Sequence, residues 1–268
     1  MDHRSSLRVS ASAPEDPTPL YHRIYMVLRE GILDGVYPAD QVMPSEIELA
    51  GQFSVSRITI RKAFERLERE GLILRQRGRG TFPTPPPGGY RRVKADVSGL
   101  VENLLAMGLR TSVKVLEFDY VPASAEVALE MGIEAGSIVQ KAIRLRSYKG
   151  RAFSHAVTHV PQDIGRTFTA EDLERMPLLR LFERAGIVVA AAHQRTTARA
   201  ACPNVAPLLG VDVGAPLLCI HRLVRDQDDR VIERIRALYR PDVYEFELKL
   251  TIGAGPEGTL WRPTPSAL

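Results

Sequence analysis

Arg57 and Arg61 stand four residues apart in the stretch SVSRITIRKAFERLEREG (54–71), and Arg77 and Arg79 follow in RGRGTF. A guanidinium carries a planar fork of donors that meets either O6 and N7 of guanine or the oxygens of a phosphate. Between Ser54 and Phe82 there are eight Lys and Arg against three Asp and Glu, a local excess of five, whereas the whole chain carries only +4. The positive charge is therefore local, a pattern that suits a polyanion such as nucleic acid or, alternatively, a solvated helix face. Ser45, Ser56 and Thr59 add short hydroxyls near expected helix starts, where they can meet phosphate oxygens; Ser45 and Ser56 can also cap the helices, and both roles can hold. Gly78 and Gly80 alternate with the two hairpin arginines and let the backbone approach a sugar-phosphate edge, while an arginine there can enter a narrow minor groove. Glu46 and Thr81, beside Ser45 and Gly80, complete this candidate nucleic-acid surface.

A second group of residues suits a small anion. Arg144 and Arg146 alternate along one expected strand, so both project from the same face. Ser98 stands where a helix is expected to begin, and its amides could hold a carboxylate or phosphate. The two arginines either bind that anion or make structural ion pairs.

The elements that must carry these residues follow from periodicity. From Pro19, the apolar residues Leu20, Ile24, Val27, Leu28 and Ile32 recur every three to four positions until Gly35 and Pro38, which predicts an amphipathic helix. In PSEIELAGQF, Ser45 and Glu48 form a capping-box pair ahead of Leu49, Ala50 and Phe53, which predicts a short second helix. Ser56 then caps a third helix ending at Gly71, with Ile60, Ala63, Phe64 and Leu67 facing inward. Ile58 falls on the opposite face with Lys62, Glu65 and Arg69, either as an isolated exposed side chain or as a contact for a thymine methyl group. LILRQRGRGTF reads as a hairpin, which completes a winged helix-turn-helix over 18–83. The Pro- and Gly-rich segment after it is a linker over 84–97.

The region that follows repeats itself at a shift of 78 residues. SGLVENLLAMG (98–108) lies over MPLLRLFERAG (176–186), and SAEVALEMGIEAGS (124–137) over CPNVAPLLGVDVGA (202–215), with Gly132 on Gly210, Gly136 on Gly214 and Arg144 on Arg222. Each copy reads helix, strand, short helix and hairpin, so residues 98–250 are predicted to form a duplicated α+β domain around a mainly antiparallel sheet. Only the first copy keeps a helix-start hydroxyl and two arginines; the second has Met176, Arg222 and Val224 at those places. One anion site is therefore expected, anchored by Arg144, with Arg222 outside it.

Composition is globular: 268 residues, 44% hydrophobic and 25% charged. Apolar runs such as GIVVAAA fall far short of the roughly 20 residues that span a bilayer, so no membrane partner is expected. Residues 1–17 read as a disordered arm and 251–268 as a tail. Cys202 and Cys219 lack ligand spacing and are expected as buried free thiols in a reducing cytoplasm. No nucleophile, base and orienter occur at a recognisable spacing, and His155 and His159 are roughly 13 Å apart by strand rise, so no catalytic, metal or cofactor site is predicted.

From Pro19 to Phe82, with the PSE, VSR-x-T-x-R and G-x-G-T-F elements intact, the chain resembles the winged-helix domain of GntR-type bacterial transcription regulators. The remainder resembles the UTRA effector domain of the HutC subfamily, which has the chorismate lyase fold, on RLR (144–146), LLGVDVGAPLL and YRPDVYEFEL. The resemblance implies a homodimer that reads a pseudo-palindromic operator and whose affinity a small effector alters. It further implies that Arg57 contacts bases, that Ser45 and Thr59 position phosphates, and that the Gly78–Gly80 wing approaches the minor groove. In the effector domain it assigns Ser98, Arg144, Arg146, Glu233 and Tyr239 to the pocket, to which Ser154 on the adjoining strand is added.

Overall fold

The computed structural model describes residues 18–84, 93–96, 111–247, 250–255 and 258–263. Ser98, the helix expected over 98–108, the N-terminal arm and most of the linker lie outside the described residues. The chain divides into two compact units, residues 1–90 and 91–268.

In the first unit α1 (Leu20–Leu33) packs on α2 (Glu46–Phe53) and α3 (Arg57–Arg69), followed by the antiparallel hairpin β1 (Ile73–Gln76) and β2 (Gly80–Pro83). The Ser45 side chain accepts from Glu48 N while Glu48 accepts from Ser45 N, so the capping box fixes where α2 starts. Ser54, in the left-handed region at φ 53°, ends α2 and turns the chain so that Ser56 can cap α3. Ile60, Ala63, Phe64 and Leu67 all enter one core with Ile24, Leu28 and Leu49. Each buried Ile, Leu or Phe contributes about 1.5–3 kcal/mol, enough to hold three short helices that would not persist alone.

The second unit is built on a six-stranded antiparallel sheet in the order β4-β5-β6-β9-β8-β7. Its strands are β4 (Ser112–Pro122), β5 (Ile138–Tyr148), β6 (Arg151–Pro161), β7 (Val189–Ala200), β8 (Pro216–Asp226) and β9 (Val231–Tyr239). The helices are α4 (Ala125–Met131), α5 (Gln162–Gly165), α6 (Ala170–Arg175), α7 (Leu178–Arg184) and α8 (Ala206–Leu209). The two copies of the repeat meet at β6 and β9, where Val157 pairs with Arg236, so the sheet has an approximate two-fold axis. The repeated glycines have a backbone reason: Gly132 and Gly210 end α4 and α8 in the left-handed region, at φ 67° and 63°.

The copies differ in one detail with consequences for the site. The first hairpin closes at Tyr148 and Arg151, whereas the second closes through Asp226 N to Arg230 O, one residue longer. As a result the bulged residues Phe153 and Ile232 hold equivalent places while standing one position further apart than Arg144 and Arg222. Ser154 is therefore matched by Glu233, on the same face of the sheet. A one-residue slip of register exchanges the faces of a strand, so a turn residue decides where a carboxylate points.

Outside the six-stranded sheet, β3 (Val93–Asp96) pairs in parallel with β10 (Tyr244–Glu247). The stretch read as a tail contains a hairpin of β11 (Leu250–Gly255) and β12 (Gly258–Pro263). Cys219 is buried as expected, but Cys202 is exposed: its carbonyl accepts from Val205 N and Ala206 N in the turn into α8, which leaves the side chain outside the core. Among the described residues no helix is long and apolar enough to cross a membrane, and no group of three or more His, Cys, Asp or Glu is placed to hold a metal ion.

Candidate functional site

In the first unit the outward face of α3 and the wing expose Arg57, Ile58, Arg61, Arg77, Gly78, Arg79 and Gly80. Ile58 is 66% exposed at the N-terminal end of α3, beside Arg57. Ser45 and Ser56 are exposed and serve as caps; the Thr59 hydroxyl lies 2.8 Å from that of Ser56. Not all the local positive charge faces outward. Arg66 lies over the Tyr25 ring at 4.2 Å, and Glu70 accepts from the Tyr25 hydroxyl at 2.5 Å, which together with burial pushes that phenol well above its ordinary pKa. Arg75 lies over Phe64 at 5.5 Å and pairs with Glu68.

Glu46 is half-buried, 3.4 Å from Arg61 and 3.8 Å from Arg75, so it ties α2 to α3 and to the wing. A carboxylate so placed orients the arginines beside it. Thr81 is half-buried and its carbonyl accepts from Met43 N at 2.8 Å, which pins the wing to the segment before α2. Gly80 has an internal reason to be glycine, because it lies at φ 109° and a Cβ would come within 2.7 Å of Val42. Gly78, at φ 75° with open space around it, belongs to the turn. Arg79→Ala is expected to weaken DNA binding and reduce the slope of log affinity against log salt by about 0.9, the release of one counterion. Titrations at several salt concentrations check this, and an unchanged slope removes the wing from the interface.

In the second unit Arg144, Arg146, Ser154, Glu233 and Tyr239 line one cleft. Register brings them together: Arg146, Ser154 and Tyr239 form one row across β5, β6 and β9, with Arg144 and Ala156 in a parallel row of the same face. Pro177, Leu178 and Leu179 form an apolar wall at the start of α7.

Arg222 lines the same cleft, which corrects the expectation that it stands outside. The approximate two-fold axis places β8 as near to the central pair of strands as β5, so the counterpart of Arg144 reaches the same space. Its identity under the 78-residue shift was the available signal. Arg222 donates from Nε and Nη2 to Gln194 Oε1, at 2.9 and 2.5 Å.

Electrostatically the cleft is unbalanced. Three arginines face one carboxylate, and Arg144 and Glu233 are only 7% and 5% exposed. Their nearest approach is 3.9 Å, too long for a hydrogen bond, and the buried Arg144 Nε has no hydrogen-bond partner among the described residues. Burial lowers the Arg144 pKa, partly offset by Glu233; burial likewise pushes Glu233 up, against the pull of Arg144 and Arg222. Arg146, which donates to Thr111 at 2.7 Å, is brought down to about 10 by burial and by repulsion from Arg144.

A helix-turn-helix with a basic outward face, followed in the chain by a duplicated α+β unit with an arginine-lined cleft, is the architecture of a DNA-binding regulator. Residues 20–82 match the model of the gntR family of bacterial regulatory proteins and residues 106–245 that of the UTRA domain, so the chain belongs to the gntR family and carries a UTRA domain. It is a DNA-binding transcriptional regulator, of a family of regulators and not of enzymes. The chain is 27% identical to the HTH-type transcriptional repressor NagR of Bacillus subtilis, over 87% of its own length and 95% of the relative's. It is also 27% identical to the histidine utilization repressor of Pseudomonas putida, over 79% and 84% of the two chains. Among solved structures, PhnF from Mycobacterium smegmatis superposes with a TM-score of 0.53 at 25% identity, covering 84% of this chain and 97% of that one.

Proposed function

We propose that this regulator is a cytoplasmic repressor acting as a homodimer on a pseudo-palindromic operator, with a small anionic metabolite in the UTRA cleft altering its affinity for DNA. Residues 18–83 read the operator, 84–97 link, and 98–250 sense. Arg57, with Ile58 and Arg61, reads base edges; Ser45, Ser56 and Thr59 meet phosphates; Arg77, Gly78, Arg79 and Gly80 carry the wing to the minor groove. Two-fold symmetry of the protein would be mirrored in the operator half-sites. That relatives are named repressors supports the sign of the regulation.

One observation carries the effector reading: among the described residues, a buried arginine has an unpartnered Nε and is set with two further arginines and a single carboxylate. A buried charge without full partnership is costly, and a bound anion supplies the missing acceptors. Glu233 accepts from a hydroxyl or amine of the same ligand, and Tyr239 and Ser154 complete the polar lining. The test is a thermal-shift screen of the full chain against small carboxylates and phosphates. An anion present at about 100 times its Kd stabilises by about 2.7 kcal/mol, a clear rise in Tm. Stabilisation by no anion, or by the same amount in Arg144→Ala, overturns the reading.

A further inference from the structure

We propose that the stacked pair Tyr239 and Tyr244 couples the cleft to β3, the strand that follows the DNA-binding domain in the chain, making the β3–β10 ladder the element that responds to the state of the cleft. This rests on the effector reading above and adds the means by which occupancy reaches the operator.

Tyr239 ends β9 and lines the cleft, in one row across the sheet with Ser154 and Arg146. Its ring lies against that of Tyr244, with centroids 4.1 Å apart and planes 22° from parallel. This is close stacking between two buried rings, and it leaves little room for either to move alone. The four residues between them are held as well. Val243 N and Tyr244 N both donate to the Arg240 carbonyl, at 3.2 and 3.0 Å. Arg240 grips Asp242 at 3.0 and 2.6 Å and donates to the Leu209 carbonyl at 3.0 Å. Its backbone N–H donates to Phe153 O, which ties the turn to β6 beside Ser154.

Tyr244 is also the first residue of β10, and it pairs with Val93 of β3. The ladder has four pairs, from Tyr244 with Val93 to Glu247 with Asp96. So short a parallel ladder opens at low free energy compared with the eleven-residue strands of the main sheet. β3 follows directly in sequence on the segment after Pro83, the last residue of the wing strand. A displacement of Tyr239 in the cleft thus passes through one stacking contact and one fixed turn into a short ladder, whose opening would be the two-state element that coupling requires.

The test uses hydrogen–deuterium exchange on the full chain without ligand, with Arg144→Ala as the perturbation in the cleft. The expected result is a change of at least threefold in exchange at 93–96 and 244–247, with the β7–β8 ladder unchanged. In a Tyr244→Leu background the same perturbation should produce no further change, whereas Tyr244→Phe, which keeps the ring, should preserve the response. If Arg144→Ala does not fold, Arg144→Lys serves, since it keeps the charge and removes the fork. An unaltered β3 ladder, or equal responses with and without the Tyr244 ring, overturns the proposal. Because no ligand is present, a negative result here is distinct from a failure of the anion screen, which bears on the effector reading alone.

Discussion

Arg144→Ala is expected to weaken effector binding by at least thirtyfold and to leave operator affinity unresponsive to the anion that stabilises the native chain. Truncating one partner of a buried, hydrogen-bonded charge pair costs about 2–5 kcal/mol, and each 1.4 kcal/mol is a factor of ten in Kd. Thirtyfold corresponds to about 2 kcal/mol, the lower end of that range, and Arg144 is buried with an Nε that has no hydrogen-bond partner among the described residues. Calorimetric titration of the purified variant, alongside operator binding with and without the anion, measures both effects. Arg222→Ala should also weaken the ligand, since Arg222 lines the same cleft as Glu233, but by less, because Gln194 already satisfies its Nε and Nη2. A native response in Arg144→Ala beside a lost one in a folded Arg222→Ala would transfer the anchor to the second copy.

Arg57→Ala is expected to cost about 1–3 kcal/mol of operator affinity and to relax discrimination at one base position, as the loss of a bidentate contact to guanine does. The side chain is exposed at the first turn of α3, beside Ile58 and clear of the Glu46 carboxylate that engages Arg61. That difference separates the two arginines of the motif: Arg57 is free to adapt to a base edge, while Arg61 is partly held in place. Affinities for the operator, for single-base variants of it and for random DNA decide the outcome. A loss that is equal on all of them makes Arg57 a phosphate contact instead.

Much of the first unit was legible because its signals are local. A capping box needs only Ser45 and Glu48, and the inward stripe of α3 needs only the spacing of Ile60, Ala63, Phe64 and Leu67. The duplication was legible because the left-handed positions that end α4 and α8 favour glycine, so Gly132 and Gly210 mark the same joint twice. What sequence spacing could not supply was partnership across strands. Arg222 enters the cleft because two copies meet at β6 and β9 about an approximate axis, and nothing within one copy states how copies will pair. Glu233 matches Ser154 because one extra turn residue shifts a strand, an effect visible only once the bulges at Phe153 and Ile232 are aligned in space.

The same division holds for charge and for glycine. The sequence by itself determined that positive charge concentrates between Ser54 and Phe82, but only packing decided that Arg66 and Arg75 lie over aromatic rings while Arg57 and Arg79 remain outside. It determined that Gly80 belongs to a hairpin; the tertiary structure decided that Val42 occupies the space a Cβ would need. Side-chain type and periodicity act over one helical turn or one strand, whereas burial, ion pairing and the convergence of three arginines on one carboxylate depend on segments tens of residues apart. Those contacts exist only after the sheet has closed, and they determine which of the basic residues can meet a ligand.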